Sequence, residues 1–138
     1  MKILGYIFLC SAALVAVSCG GKKKSEVEPA DVVVMFHKSL TALDFELASG
    51  LCCEGEAEGY VAAFENAYKD ALAKDAAAAE IAAGMLEAEE VIVGETARDK
   101  DIRTVFYTIS DGCGNTKEKI AVLKKVEREW KIAEIKDR

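Results

Sequence analysis

The sequence is poor in several residue types that support particular functions. It has one proline and one histidine in 138 residues, and aromatic residues make up 7% of the chain. A single proline, together with an apolar content of 51%, argues against a disordered chain. The formal net charge is −6 and no stretch forms a basic stripe, which argues against nucleic acid as a partner.

Motifs for cofactor chemistry are also missing. The chain has no Cys-x-x-Cys pair and no histidine near its cysteines, so zinc and thioredoxin-like chemistry are weakly supported. Gly112 and Gly114 flank a cysteine in a predicted turn that no helix follows, so they do not form a phosphate loop. His37 is interpreted as an ordinary helix residue, and no acidic residue stands out as a buried base. We therefore expect no metal, no cofactor and no enzymatic activity.

The longest uncharged run lies at the N-terminus. Lys2 is followed by 15 uncharged, mostly apolar residues, which is short of the roughly 20 that a membrane-spanning helix needs. This pattern is typical of a secretory signal peptide. The small residues Ala16-Val17-Ser18 precede Cys19, and together they resemble the bacterial lipobox, with Ala where Leu is commonest. The alternatives are an ordinary signal peptide cleaved nearby and an uncleaved anchor.

The lipobox resemblance implies a location. Cys19 would receive a diacylglycerol through a thioether, with palmitate among its acyl chains, and would hold the protein on a membrane of the bacterial cell envelope. Residues 1–18 would be the signal peptide, 19–27 the lipidated cysteine with a flexible tether, and 28–138 one domain. Lys22-Lys23-Lys24 would either contact anionic headgroups or form part of a solvated spacer.

Helical periodicity occupies the first part of the domain. Pro29 opens a first helix with the apolar stripe Val32, Met35, Phe36, Leu40, Leu43 and Leu47. Asp44 is predicted to cap a second, short helix that ends near residues 50–53. A third helix is expected over residues 60–88, with one bend near Lys74-Asp75 and an apolar stripe that continues to Ile81 and Met85.

At Glu90 the apolar period changes from 3.6 to 2, and four strands follow. They are predicted over residues 91–97, 102–109, 117–126 and 130–135. Their short connections predict an antiparallel meander. Trp130 begins the last strand and alternates with Ile132, so it is expected to anchor the core. Helices followed by strands indicate an α+β domain, with the N-terminal helices packed on a curved four-stranded antiparallel sheet.

The order of elements, the break at Leu43-Asp44-Phe45-Glu46 and the ending Val122 to Ile132 resemble a known family. They are similar to small bacterial lipoproteins with a cystatin-like or NTF2-like domain, of the DUF4878 type. The resemblance covers roughly residues 28–136. It implies the fold far more than a function, because the family's role is largely undefined.

NTF2-like domains often enclose a cavity between sheet and helices, so the resemblance implies a pocket. Its candidate lining is aromatic: Tyr60, Phe64, Tyr68, Phe106 and Trp130. The competing interpretation is that these side chains fill the core. We expect a non-catalytic protein that binds a small ligand or an envelope protein. The alternatives are an enzyme that uses the cavity, and a structural module that forms a homodimer through its sheet.

Three thiols remain in the domain after Cys19. Cys52 and Cys53 end the predicted short helix, and Cys113 lies in the turn between the second and third strands. If the helix end lies over that turn, one of the pair could form a disulfide with Cys113. Unpaired, partly buried thiols are the other interpretation.

Overall fold

The computed structural model describes residues 27–138. The predicted signal peptide, Cys19 and most of the tether lie outside these residues. Four helices are followed by four strands: α1 Pro29–Thr41, α2 Phe45–Gly50, α3 Glu56–Lys74, α4 Ala76–Glu87, β1 Glu90–Asp99, β2 Ile102–Ser110, β3 Thr116–Val126 and β4 Glu129–Asp137. The predicted α+β class and the order of its elements are confirmed.

The first two helices begin where local chemistry predicts. Pro29 occupies the first turn of α1, where its missing N–H costs nothing, and Asp31 adds a negative charge there. The chain reverses at Leu43, which adopts a φ of 62°. The Asp44 carboxylate then accepts a hydrogen bond from the Leu47 N–H at 3.1 Å, which caps α2 as predicted.

The single bent helix expected over residues 60–88 is instead two helices. α3 already begins at Glu56, and it ends at Lys74. Asp75 adopts an extended conformation with φ −160° and ψ 98°, and its carboxylate accepts a hydrogen bond from the Ala78 N–H at 3.1 Å. An aspartate that satisfies a free N–H in this way starts a new helix, so the chain breaks here rather than bends.

The four strands form one antiparallel sheet in the order β1-β2-β3-β4, as the short connections predict. Their bounds lie within two residues of the predicted ones. The register shifts between Val93 and Thr96 in β1, and again after Val122 where β3 pairs with β4. Such irregularities increase the local twist and curve the sheet.

The segment after α2 is tied to the free edge of β4. The Ile132 N–H donates to the Leu51 carbonyl at 2.9 Å, and the Cys53 N–H donates to the Ile132 carbonyl at 2.7 Å. Cys52 thereby forms a short parallel bridge with Ile132. These two hydrogen bonds cover part of the sheet edge and bring the end of α2 beside the first half of β4.

The core lies between the helices and one face of the sheet, called here the inner face. Its fully buried side chains come from α1, α3 and three strands: Val33, Phe36, Val61, Val105, Leu123 and Ile132. Along β3, Ala121 and Leu123 are buried, while Ile120 and Val122 on the outer face are only partly buried. The inner face is therefore the dry face of a half-covered antiparallel sheet.

Five residues of the predicted helical stripes are exposed rather than buried, among them Leu72 on α3 at 38%. Met35 and Leu47 are 42% and 48% exposed, and Ile81 and Met85 on α4 are 69% and 68% exposed. The capped break at Asp75 is the physical reason for the exposure of Ile81 and Met85, because α4 does not continue the helical periodicity of α3. From α4, Ala79 is the side chain that is fully buried.

Candidate functional site

An open groove lies at the end of the inner face where β3 turns into β4. It has a volume of about 380 Å³ and is called the Trp130 groove here. It is lined by Val27, Val32, Met35, Leu51, Arg128, Glu129, Trp130 and Lys131. Apolar side chains from α1 and from the end of α2 form one wall, and the β3–β4 hairpin forms the other. A mostly apolar lining with a few charged groups is typical of ligand sites.

Trp130 is both a packing residue and a surface residue. It is partly buried and packs against the core cluster, so the expected core anchor is present only in part. The Arg103 guanidinium carbon lies 4.7 Å from the ring centroid, and the Lys125 Nζ lies 5.2 Å from it. Each distance is within the range of a cation–π interaction. The indole therefore presents an apolar surface that is flanked by positive charge.

The turn that carries Arg128 into the groove has an unfavourable backbone. Glu127 and Arg128 are the two residues of the hairpin loop, with φ of 52° and 73°. Two-residue loops of this kind favour Asn or Gly, because other residues pay about 1–2 kcal/mol for each left-handed conformation. Strained residues of this type often occur at functional sites. Here Arg128 combines a left-handed backbone with a place in the groove lining.

Lys131 has a fixed position in the same lining. Its Nζ donates a hydrogen bond to the Gly50 carbonyl, which links the groove wall to the end of α2. The same Nζ lies 3.5 Å from a Glu129 carboxylate oxygen. The single acidic residue of the lining is thus adjacent to a cation, and Arg128 provides a further positive charge.

Three of the five aromatic residues proposed to line one pocket lie on α3 and face different neighbours. Phe64 and Tyr68 line a groove of about 200 Å³ between α3 and α4. The Tyr60 ring lies 6.2 Å from the Phe36 ring and 5.9 Å from the Lys119 Nζ, measured from its centroid. Tyr60 therefore belongs to the packing between helices and sheet.

The other two aromatics are separated by the alternation of β2. Val105 and Tyr107 face the helices, so Phe106 between them faces the outer side of the sheet. There it lines a groove of about 120 Å³, and the Arg138 guanidinium carbon lies 5.0 Å from its ring centroid. Trp130, in contrast, lies on the inner face, at the end of the sheet where β3 turns into β4. The structure does not bring the five predicted side chains into one cavity.

A polar cluster lies on the inner face, at the end of the sheet away from Trp130. It is called the His37 cluster and comprises His37, Tyr60, Glu89, Tyr107, Lys119 and Asp137. Tyr107, Lys119 and Asp137 are directly paired across three neighbouring strands. The Lys119 Nζ donates a hydrogen bond to the Asp137 carboxylate at 2.6 Å. The His37 Nε2 lies 3.2 Å from a Glu89 carboxylate oxygen.

Burial controls the protonation of this cluster. Desolvation, opposed by Glu89 and reinforced by Lys119, lowers the pKa of His37 below its usual value. The His37 Nε2 is buried and, despite its approach to Glu89, has no hydrogen bond of good geometry. Burial opposes the charge of Lys119, but the hydrogen bond to Asp137 and the contact with Tyr60 outweigh it and raise the pKa of Lys119. His37 is accordingly neutral and Lys119 charged near pH 7.

Sequence reasoning missed this cluster, because its members come from five elements and from the α4–β1 connection, between residues 37 and 137. Only the strand register places Lys119 beside Tyr107 and Asp137. Glu89 also lines an open groove of about 340 Å³ with Met85, Ile109 and Lys117. The sequence does contain one usable signal. A lysine and an aspartate that lie opposite each other on an otherwise apolar strand face predict an ion pair.

All three thiols of the described domain are free. Cys113 is exposed in the β2–β3 turn, whereas the Cys52 sulfur donates to the Ala48 carbonyl at 3.3 Å. Cys52 bridges to Ile132, whose partner Leu123 is seven residues along β3 from the β2–β3 turn, or about 23 Å. The long-range disulfide proposed from sequence is therefore corrected, because the turn lies at the far end of the sheet.

Two further findings concern residues 27–138. Among their helices, none combines the length and the apolar character that crossing a bilayer requires. In the same residues, no group of three or more His, Cys, Asp or Glu side chains is arranged to hold a metal ion.

Comparison with known proteins gives one similar structure. No family model matches the chain, and no curated protein matches it. A solved structure of an NTF2-like protein of unknown function from Cytophaga hutchinsonii is similar over 83% of this chain and 94% of its own, with 14% identity and a TM-score of 0.45.

Proposed function

We propose that the chain is a lipid-anchored cell-envelope protein with an NTF2-like domain, and that it binds a ligand without catalysis in the Trp130 groove. The anchor follows from the signal-like run that ends at Ala16-Val17-Ser18-Cys19. The groove is the observation that carries the binding role. Its lining combines an apolar surface with Arg128 and Lys131, which favours a ligand with an apolar body and an anionic group.

The anchor is tested by metabolic labelling with a fatty-acid analogue. The wild-type chain should incorporate the label and sediment with membranes. Cys19→Ala should remain unlabelled, while Cys52→Ala serves as a control for a thiol elsewhere in the chain. Equal labelling of the wild type and the Cys19 variant would refute the anchor.

Binding is tested through the fluorescence of Trp130, which is the single tryptophan in the sequence. Dodecanoate, kept below its micelle concentration, is a probe with an apolar body and one carboxylate. We expect it to shift the Trp130 emission, and dodecyl maltoside of equal chain length to do so more weakly. Arg128→Gln should remove the preference for dodecanoate. An emission spectrum unchanged by both amphiphiles would contradict binding in this groove.

An enzyme is the second candidate, and the His37 cluster is the observation that favours it. A neutral buried histidine beside the Glu89 carboxylate is a pair that can move a proton, and Glu89 also lines an open groove. No groove described above is lined by His37 itself, which favours the binding role. Enzymatic turnover of a soluble ester or enolisable ketone that is lost in both His37→Gln and Glu89→Gln would favour the enzyme instead.

A homodimer formed through the outer face of the sheet is the third candidate. Ile92 on that face is 55% exposed, and Phe106, Ile120 and Val122 on the same face are partly buried. Sedimentation equilibrium distinguishes the candidates. Ile92→Lys should leave the mass unchanged if the domain is monomeric and should halve it if this face forms a dimer.

A further inference from the structure

We propose that the Trp130 groove docks on the anionic headgroups of the membrane that carries the chain, so that its occupant is phospholipid. The inference rests on the lipid anchor proposed above, and it names the ligand class for the same groove. Three observations support it: the position of the chain's N-terminal end, the distribution of charge, and the exposed apolar side chains.

The chain leaves the described domain inside this groove. Val27, the first described residue, belongs to the groove lining. Seven residues lie between it and Cys19, and the eight steps from Cys19 to Val27 span at most about 28 Å when fully extended. β3 alone has 11 residues and is therefore about 36 Å long. An acylated Cys19 thus keeps the groove end of the domain next to the bilayer, while the His37 cluster at the other end can point away.

The charge of the groove is opposite to that of the chain. The sequence has a net charge of −6, yet Arg128 and Lys131 line the groove and Arg103 and Lys125 flank its indole. The acidic residue of the lining, Glu129, is adjacent to Lys131. Glu28 and Glu127 are neighbours of lining residues in the sequence and offset part of this charge, but the lining itself remains net positive. An anionic surface therefore attracts the groove and repels the rest of the acidic domain, which orients the docked protein.

The tether adds to the same charge pattern. Lys22, Lys23 and Lys24 lie between Cys19 and the groove. Three cations this close in sequence to the proposed lipid attachment would add to the attraction of an anionic bilayer.

The apolar residues of the groove fit the headgroup region. Val27 is 51% exposed and Met35 is 42% exposed, and both line the groove next to Trp130. Indole rings are enriched at membrane interfaces because they combine an apolar ring with an N–H donor. A groove with two exposed aliphatic side chains, one indole and surrounding cations can therefore lie on the boundary between headgroups and acyl chains.

The sole tryptophan makes the docking measurable in the full, acylated protein. The protein is reconstituted into vesicles of phosphatidylcholine, with or without phosphatidylglycerol, that contain a headgroup-spin-labelled lipid. We expect the Trp130 emission to be strongly quenched in the vesicles with phosphatidylglycerol, and the quenching to decrease as salt is added. The matched control is Trp130→Phe combined with Phe106→Trp, which moves the reporter to the outer face and should not be quenched.

A charge variant tests the mechanism. Arg128→Gln should lower the ratio of docked to undocked protein about fivefold, the effect expected for one cation near an anionic surface. The matched control is Lys117→Gln, which removes the same charge from the groove at the far end of the sheet and should change nothing. Equal effects of the two variants would overturn the proposed orientation.

The remaining outcomes separate this inference from the proposed function. Acylated protein whose Trp130 is unquenched by the lipid, but is quenched by aqueous acrylamide, overturns the docking and leaves the anchor standing. Trp130 shielded from both quenchers means that protein fills the groove, either residues 20–26 or a second copy, and this also overturns it. A mass spectrum with no acyl chain on Cys19 overturns the anchor and the inference together.

Discussion

Replacing Arg128 with glycine should stabilise the domain while it weakens the groove. The φ of 73° at Arg128 costs a residue with a Cβ about 1–2 kcal/mol, and glycine avoids that cost. Glycine loses about 0.4–1 kcal/mol through the larger freedom of the unfolded chain. The net gain should be about 0.5–1 kcal/mol. With a urea m-value of about 1–3 kcal/mol/M, the midpoint of unfolding should rise by roughly 0.5 M.

Lys100→Gly is the matched control for this prediction. Lys100 has a φ of 53° in the β1–β2 turn and does not line the Trp130 groove, so it carries the same backbone strain without the same position. Both variants should gain similar stability in urea titrations, and only Arg128→Gly should lose docking to anionic vesicles. Stabilisation by Lys100→Gly but not by Arg128→Gly would refute the reasoning, because it would show that the Arg128 side chain offsets its own strain by packing.

Three further predictions concern the core, the His37 cluster and the thiols. Ile132→Ala should cost about 3–5 kcal/mol in urea unfolding, because Ile132 is fully buried and its backbone is fixed on both sides, whereas Ile92→Ala on the exposed face should change stability by less than about 0.5 kcal/mol. Burial lowers the pKa of His37, which Glu89 and Lys119 face, so the unfolded chain binds a proton more readily than the folded one and the wild type should lose stability as the pH falls below about 6.5. His37→Gln should lose less stability than the wild type between pH 7.5 and 5.5. Equal losses of stability in the two proteins would contradict this. Burial raises the pKa of Cys52 to about 12, so iodoacetamide at pH 8 should alkylate exposed Cys113 in the folded domain and Cys52 only after unfolding, as mass spectrometry would show.

The strands were predictable because their signal is local. Apolar alternation and short connections determine the four strands and the meander without reference to any distant residue. The same applies to the cap at Asp44, where an acidic residue precedes a helix-forming segment. At Asp75 the cap signal was also present in the sequence, but an alanine-rich run on both sides favoured one continuous helix.

The site was not predictable, because it depends on long-range register and on which helix covers which part of the sheet. The alternation along β2 separates Phe106 from Val105 and Tyr107, yet the sequence does not say which set faces the helices. The sequence alone therefore leaves the five aromatic residues as either the lining of one pocket or part of the core. The bulge after Val122 likewise changes the phase between β3 and β4, and only the folded chain shows it.

A difference in length between helix and sheet explains where the Trp130 groove lies. α1 has 13 residues and is about 20 Å long, while the 11 residues of β3 extend about 36 Å. A helix of this length cannot cover the inner face from one strand end to the other. Trp130 lies at an end that stays partly open, whereas Lys119, toward the other end, is covered by Tyr60 of α3 and its side chain is 14% exposed. Because Pro29 starts α1 at the Trp130 end, the N-terminal tether necessarily emerges there, beside the cations of the groove. The proposed lipid anchor and the groove would therefore lie at the same end of the domain for one common reason, the place where α1 begins. Moving the proposed anchor from Cys19 to the C-terminus should consequently abolish the quenching of Trp130 by headgroup-labelled lipid.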